Sequence, residues 1–206
     1  PSSAASDVYK RQLYIFAVKD SALLDLVSRM PSNRGLWVHT AGSMDMEVFA
    51  PYTARYGVFY PMQTFSKERE TDFDDIPIFV ETNHTDDTER LQKLAGRLST
   101  KVYEATSEQR KYLHLAAVFA CNFSNHLYAL CDRILSEHGL PFETMLPLIR
   151  ETAAKVADMP PAQAQTGPAI RYDKNVIDKQ MALLSDPTMR QIYDLMSRSI
   201  HETNKH

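Results

Sequence analysis

Three short segments hold the residues best suited to chemistry. Val18-Lys19-Asp20 sets a cation beside a carboxylate at the end of an apolar run. His39-Thr40-Ala41-Gly42-Ser43 offers an imidazole and two hydroxyls around a glycine. Pro61-Met62-Gln63-Thr64-Phe65 adds an amide and another hydroxyl. Imidazoles exchange protons near neutral pH, so His39 is a candidate general acid. Thr40 and Ser43 can hydrogen-bond a substrate carbonyl, and Gly42 permits close backbone approach or a positive φ. Gln63 and Thr64 are uncharged donors and acceptors, suited to orientation and not to proton transfer. Farther on, Asn122 interrupts an apolar helical stretch and shares a face with Asn125 and His126. Each has a structural alternative: a strand-end histidine satisfied by backbone, a solvated Lys19, a turn-stabilising Gln63–Thr64 pair, an inter-helix cluster at Asn122.

Each of the three segments closes an apolar run, Leu13–Val18, Leu36–Val38 and Gly57–Tyr60, that reads as a buried strand. Ile76–Glu81 and Lys101–Tyr103 read as two more, with Asp86–Leu98 a helix between them. Strands alternating with helices predict an α/β layer with a largely parallel sheet. Such sheets bind ligands outside the carboxyl ends of their strands, so the three segments can line one crevice.

From Thr106 onward the pattern is helical. Thr106-x-x-Gln109 fits a capping box, and the helix it opens runs to His138 with Gly139 as its stop. Its centre, Leu115–Phe123, is apolar nearly all round and is expected to be buried. Further helices are expected after Pro147, from Asp173 through Leu184, and after Asp186-Pro187. The expected organisation is a non-native or disordered leader over 1–12, an α/β domain over 13–105 and a helical domain over 106–206.

Composition excludes several classes. With 206 residues, 44% hydrophobic and 24% charged, the chain reads as globular. Residues 13–105 carry ten basic and fourteen acidic side chains and residues 106–206 eleven of each, so neither half offers a basic stripe for nucleic acid. The longest apolar run, Leu115 to Cys121, is too short to span a bilayer. Cys121 and Cys131 fit neither a zinc knuckle nor a disulfide framework, and a cytoplasmic location is the expectation. The seven histidines lack metal-ligand spacing, and no G-x-S-x-G is present. No two of the six glycines are closer than seven residues, which excludes G-x-G-x-x-G and P-loop signatures within these residues.

Four ordered motifs carry a resemblance. Ala17-Val18-Lys19-Asp20 resembles the strand end of pyrroline-carboxylate reductase-like proteins. His39-Thr40-Ala41-Gly42-Ser43 with Tyr60-Pro61-Met62-Gln63-Thr64-Phe65-Ser66 resembles H-[ST]-[SA]-G-S followed by H-P-[LM]-Q-[TS]-F. Ala117–Phe123 and Thr166-Gly167-Pro168-Ala169-x-Arg171-x-Asp173 complete it. Together they resemble a family of NADP oxidoreductases with a Rossmann-like domain and a helical domain of unassigned function. The resemblance runs from Leu13 to the C-terminus. It implies NADP, with NAD not excluded, and hydride transfer to a C=O or C=N bond of a small acid.

On that resemblance the crevice holds the nicotinamide half of the cofactor. Val18, Lys19, Asp20, Thr40, Gly42, Gln63 and Thr64 would contact it, with Lys19 toward the ribose and pyrophosphate. His39, Ser43 and Asn122 would be catalytic. Thr166, Gly167 and Pro168 would meet the substrate at a helix N-terminus, and Arg171 would pair with its carboxylate. A homodimer through the helical domain is implied, with neither nucleic acid nor membrane as partner. The family's Gly-rich first half has no counterpart here, a difference of about 60–80 residues, or two β-α units. Its His before Pro-[LM]-Gln is Tyr60. The leader is expected to be vector read-through or a native disordered terminus, and the chain as written is expected to be inactive. The competing expectation is a non-catalytic dimerising or ligand-sensing module.

Overall fold

The computed structural model describes residues 12–205, so the leader expectation falls, but for Gln12, outside the described residues. Two compact units are present, the first closing at Ser124 and the second opening at Asn125. The first therefore takes in nineteen residues beyond the 105/106 boundary expected from sequence, because 107–124 lies on the long helix.

The first unit is a five-stranded sheet in sequence order: β1 (Leu13–Phe16), β2 (Leu36–His39), β3 (Tyr56–Pro61), β4 (Ile78–Thr82) and β5 (Val102–Glu104). β1, β2 and β3 are parallel neighbours, so their carboxyl ends emerge along one edge. β4 runs antiparallel to β3, and β5 parallel to β4. The connection over 62–77 contains no helix, and a parallel return would need such a crossover.

Alternation along the strands separates two cores. Leu36, Val38, Phe59, Ile78 and Val80 pack against Leu91 and Ala95 of α2 (Thr85–Ala95). Phe16, Trp37 and Tyr56 pack on the other face against Leu23 and Val27 of α1 (Asp20–Ser28) and against Phe49 of a 3₁₀ turn, Met46–Phe49. Burying side chains of this size contributes about 1.5–3 kcal/mol each.

α3 (Ser107–Ala117) starts at the expected capping box: Thr106 accepts from the Gln109 N–H, and Gln109 accepts from the Thr106 N–H. A π-helical stretch, Val118–Phe123, joins it to α4 (Ser124–Glu137), and Gly139 ends the run at φ +70°. The expected burial of its centre is corrected. Leu115, Phe119 and Phe123 are 52%, 63% and 50% exposed. Apolar composition states what a helix tends to bury, not what covers it within one chain.

The second unit continues with α5 (Leu146–Asp158), α6 (Pro161–Ala164), α7 (Lys174–Leu183) and α8 (Pro187–Thr203). Asp186 caps α8 through the Thr188 and Met189 N–H groups and accepts from Arg133 of α4 at 2.9 Å. Among the described residues of this unit only Ala169, Ile177, Met189 and Ser197 are buried. No helix among the described residues is long and apolar enough to cross a membrane.

Candidate functional site

The carboxyl ends of β1, β2 and β3 bring the first two expected segments together. Ser43, after β2, donates to the Asp20 carboxylate, after β1, at 2.6 Å. The Thr40 N–H donates to the Phe16 carbonyl at 3.3 Å. Val18, Lys19, Asp20 and Ser43 are exposed, and Thr40 is half-buried. Lys19 occupies the N-cap position of α1 without a side-chain capping bond. Gln63 and Thr64 follow β3 and are exposed, with the Thr64 N–H and hydroxyl both bonded to the Gln63 side-chain oxygen. That is the turn-stabilising arrangement.

His39 departs from the expected general acid. It has no exposed surface. Its Nδ1 accepts from the Ala41 N–H at 3.2 Å, which leaves Nε2–H to donate to the Asp45 carbonyl at 3.3 Å. Burial, then the Arg110 charge, lowers its pKa to about 4. A neutral imidazole with both nitrogens on backbone holds a turn and has no proton to give a ligand.

Gly42 is present for close approach, not for a positive φ. A Cβ there would lie 2.8 Å from His114 Nδ1 and 2.9 Å from Tyr60 Oη. Tyr60 is nearly buried, and its hydroxyl is 3.4 Å from His114 Nδ1. Burial raises the Tyr60 pKa, against an opposing pull from Arg110.

The turn itself is held by a buried ionic network absent from the sequence expectations. Arg110 of α3 is fully buried and lies 2.7 Å from the Glu81 carboxylate. Its remaining donors reach the carbonyls of Ala41, at 3.3 Å, and Met44, and the Ser107 hydroxyl. Glu81 also accepts from the Ser107 N–H and hydroxyl at 2.8 and 2.7 Å, and Ser107 Oγ accepts from the Met46 N–H at 3.1 Å. The sequence signal was available: Ser107, Arg110 and His114 recur at helical spacing and form a polar stripe.

Asn122 is exposed on the π-helical stretch, a local form frequent at functional sites. Thr166, Gly167, Pro168 and Arg171 belong to the second unit. Gly167 adopts φ +102°, and Arg171 is exposed. Thr166 and Pro168 line a largely apolar cavity of about 420 Å³ with Leu127, Cys131, Ile134 and Met196. Asp173 caps α7 by accepting from the Val176 N–H at 3.4 Å. Its carboxylate takes the place expected for a substrate carboxylate at that helix N-terminus. Among the described residues, no group of three His, Cys, Asp or Glu side chains could hold a metal ion.

Comparison with known proteins places this geometry. The profile of a domain of unknown function, DUF2520, matches residues 76–200. No curated protein sequence matches the chain. A Bacteroides fragilis structure, provisionally assigned as an NADP oxidoreductase, is 53% identical with a TM-score of 0.88, covering 96% of this chain and 79% of its own. A reductive aminase from Aspergillus terreus, solved with NADPH and ethyl levulinate, has TM-score 0.69 at 15% identity over 98% of this chain and 78% of its own. A 1-pyrroline-5-carboxylate reductase from Streptococcus pyogenes has TM-score 0.54 at 10% identity over 96% and 79%. The last two show the fold alone. The chain belongs to the DUF2520 family, with a Rossmann-like sheet followed by a helical C-terminal domain.

Proposed function

We propose that the protein is an NADP-dependent oxidoreductase that reduces a C=O or C=N bond of a small molecule. The observation that carries this reading is the convergence of Lys19, Asp20, Thr40 and Ser43 at the carboxyl ends of parallel neighbours. It is supported by the Bacteroides fragilis relative, named for NADP, and by the reductive aminase solved with NADPH.

The residues at the strand ends fit the nicotinamide half of such a cofactor. The Thr40 and Ser43 hydroxyls and the Gln63 amide offer hydrogen bonds to a carboxamide, and Lys19 offers a cation to the phosphate side. Lys19 and the N–H groups opening α1 are the groups among the described residues proposed to face phosphate charge. When bound, the reduced nicotinamide supplies hydride. Arg110 fixes the turn, Gly42 lets it close on Tyr60, and Ser43 tethers it to Asp20. Asn122 is the proposed polar contact from the helix. Within the second unit, Arg171, which is exposed and has no bonded partner among the described residues, is the group proposed to bind a carboxylate. Fluorescence titration with NADPH tests the reading: enhanced nicotinamide emission that NADP⁺ reverses is expected, and unchanged emission at millimolar nucleotide counts against it.

The partner proposed for the helical unit is a second copy of the chain. Four buried residues are too few to form a core for a helical unit. This observation equally supports a dimerising module without catalysis, the reading that remains if no nucleotide binds.

A further inference from the structure

We propose that His114 is the proton-exchanging residue of the strand-end site and that Tyr60 sets its tautomer. The proposal rests on the oxidoreductase reading above and supplies the proton that hydride transfer leaves outstanding.

Two imidazoles flank the Gly42 turn, and their surroundings assign them opposite tasks. His39 is sealed, with both ring nitrogens bonded to backbone. His114 is exposed. Its Nδ1 lies 3.4 Å from the Tyr60 hydroxyl, a separation common in catalytic pairs before a ligand tightens them. Its Nε2 has no partner among the described residues. His114 also follows Arg110 by one turn of α3, and Arg110 grips the Ala41 and Met44 carbonyls. The imidazole and the Gly42 turn are therefore held by one helix. The turn approaches the pair so closely that a Cβ at Gly42 would overlap both side chains.

Tyr60 is a positioning residue. Its phenol, kept neutral by burial, accepts from Nδ1–H and leaves Nε2 to exchange protons. As the carbon of a C=O or C=N bond receives hydride, its π pair moves onto oxygen or nitrogen. That atom takes the Nε2 proton of the His114 imidazolium. The imidazole is left neutral, with Nδ1–H still on Tyr60, and recovers its proton from water.

Nitrogen-15 NMR of the histidine rings in the full chain tests this, with NADPH and a cyclic imine as probes. The expected result has three parts. Neutral His114 carries its proton on Nδ1, Tyr60→Phe scrambles that preference while His39 is unchanged, and the probes shift the His114 ring signals but not those of His39. Two outcomes overturn the proposal alone: a tautomer indifferent to Tyr60→Phe, or probes that shift the 18–20 and 40–43 amides and leave the His114 ring unmoved. Probes that shift no resonance overturn the oxidoreductase reading, and this role with it.

Discussion

The buried guanidinium of Arg110 lies 2.7 Å from the Glu81 carboxylate and directs its other donors to the turn that follows β2. One ionic pair thus joins α3 and β4 to the backbone that carries Gly42 and Ser43. Removing one member of such a pair leaves an uncompensated buried charge, which costs about 3–5 kcal/mol. Arg110→Met is expected to lose that much in urea unfolding. Arg110→Met combined with Glu81→Gln is expected to regain more than about 1 kcal/mol, since the stranded carboxylate is gone. A double variant no more stable than the single would contradict the pairing.

His39 gives a pH dependence of fixed sign. Its folded pKa of about 4 lies below the unfolded value of 6.5, so the unfolded chain binds more protons between the two. The stability His39 contributes is complete above pH 6.5 and is lost as pH falls toward 4. A shift of that size corresponds to about 3 kcal/mol. Unfolding free energies measured at intervals from pH 4 to 7 should rise through this window, and His39→Gln should flatten the rise. An unchanged slope in the variant would show that other groups cause it.

Two glycines should differ sharply on substitution. At Gly42 an added Cβ meets the far ends of Tyr60 and His114, which can shift, so Gly42→Ala should cost about 1–3 kcal/mol and still fold. At Gly57 the Cβ would stand 2.1 Å from the Glu81 carbonyl in the adjoining strand, and backbone there cannot move without parting β3 from β4. Gly57→Ala is expected to yield no folded protein by circular dichroism. Equal stabilities for the two variants would contradict the packing.

Dimerisation is tested at positions that a monomer would not notice. Leu183 is 82% and Leu195 62% exposed in the single chain, where surface changes usually alter stability by about 0.5 kcal/mol or less. Sedimentation equilibrium should find a dimer, and Leu183→Glu with Leu195→Glu should dissociate it and lower the melting temperature. A monomeric wild type, or a double variant that changes neither property, would remove the second copy from the account.

Local signals were readable in the sequence wherever one residue sufficed to set them. The Thr106–Gln109 capping box, Asp186 ahead of Pro187, and Gly139 as helix stop are each decided within a few residues, and each was legible. The antiparallel return of β4 was harder, because the pattern of β4 itself is the same in either direction; the clue lay in the helix-free connection before it. At the site, sequence pointed to the strand ends and to His39, which the structure buries with both ring nitrogens on backbone. Nothing local distinguishes His39, whose nitrogens are bonded to its own turn, from His114, whose Nδ1 partner is 54 residues away. Arg110 was missed for the same reason: its partners Glu81 and Ala41 are far off in the chain, although the Ser107–Arg110–His114 stripe marked the helix face.

The central claim is that nucleotide binds where β1, β2 and β3 end. Amide NMR of the labelled chain titrated with NADPH measures this most directly. The account predicts shifts concentrated at residues 18–20, 40–43 and 63–64. Shifts confined to the other end of the sheet, in the cleft lined by Arg55, His84 and Arg90, or no shifts at all, would contradict it.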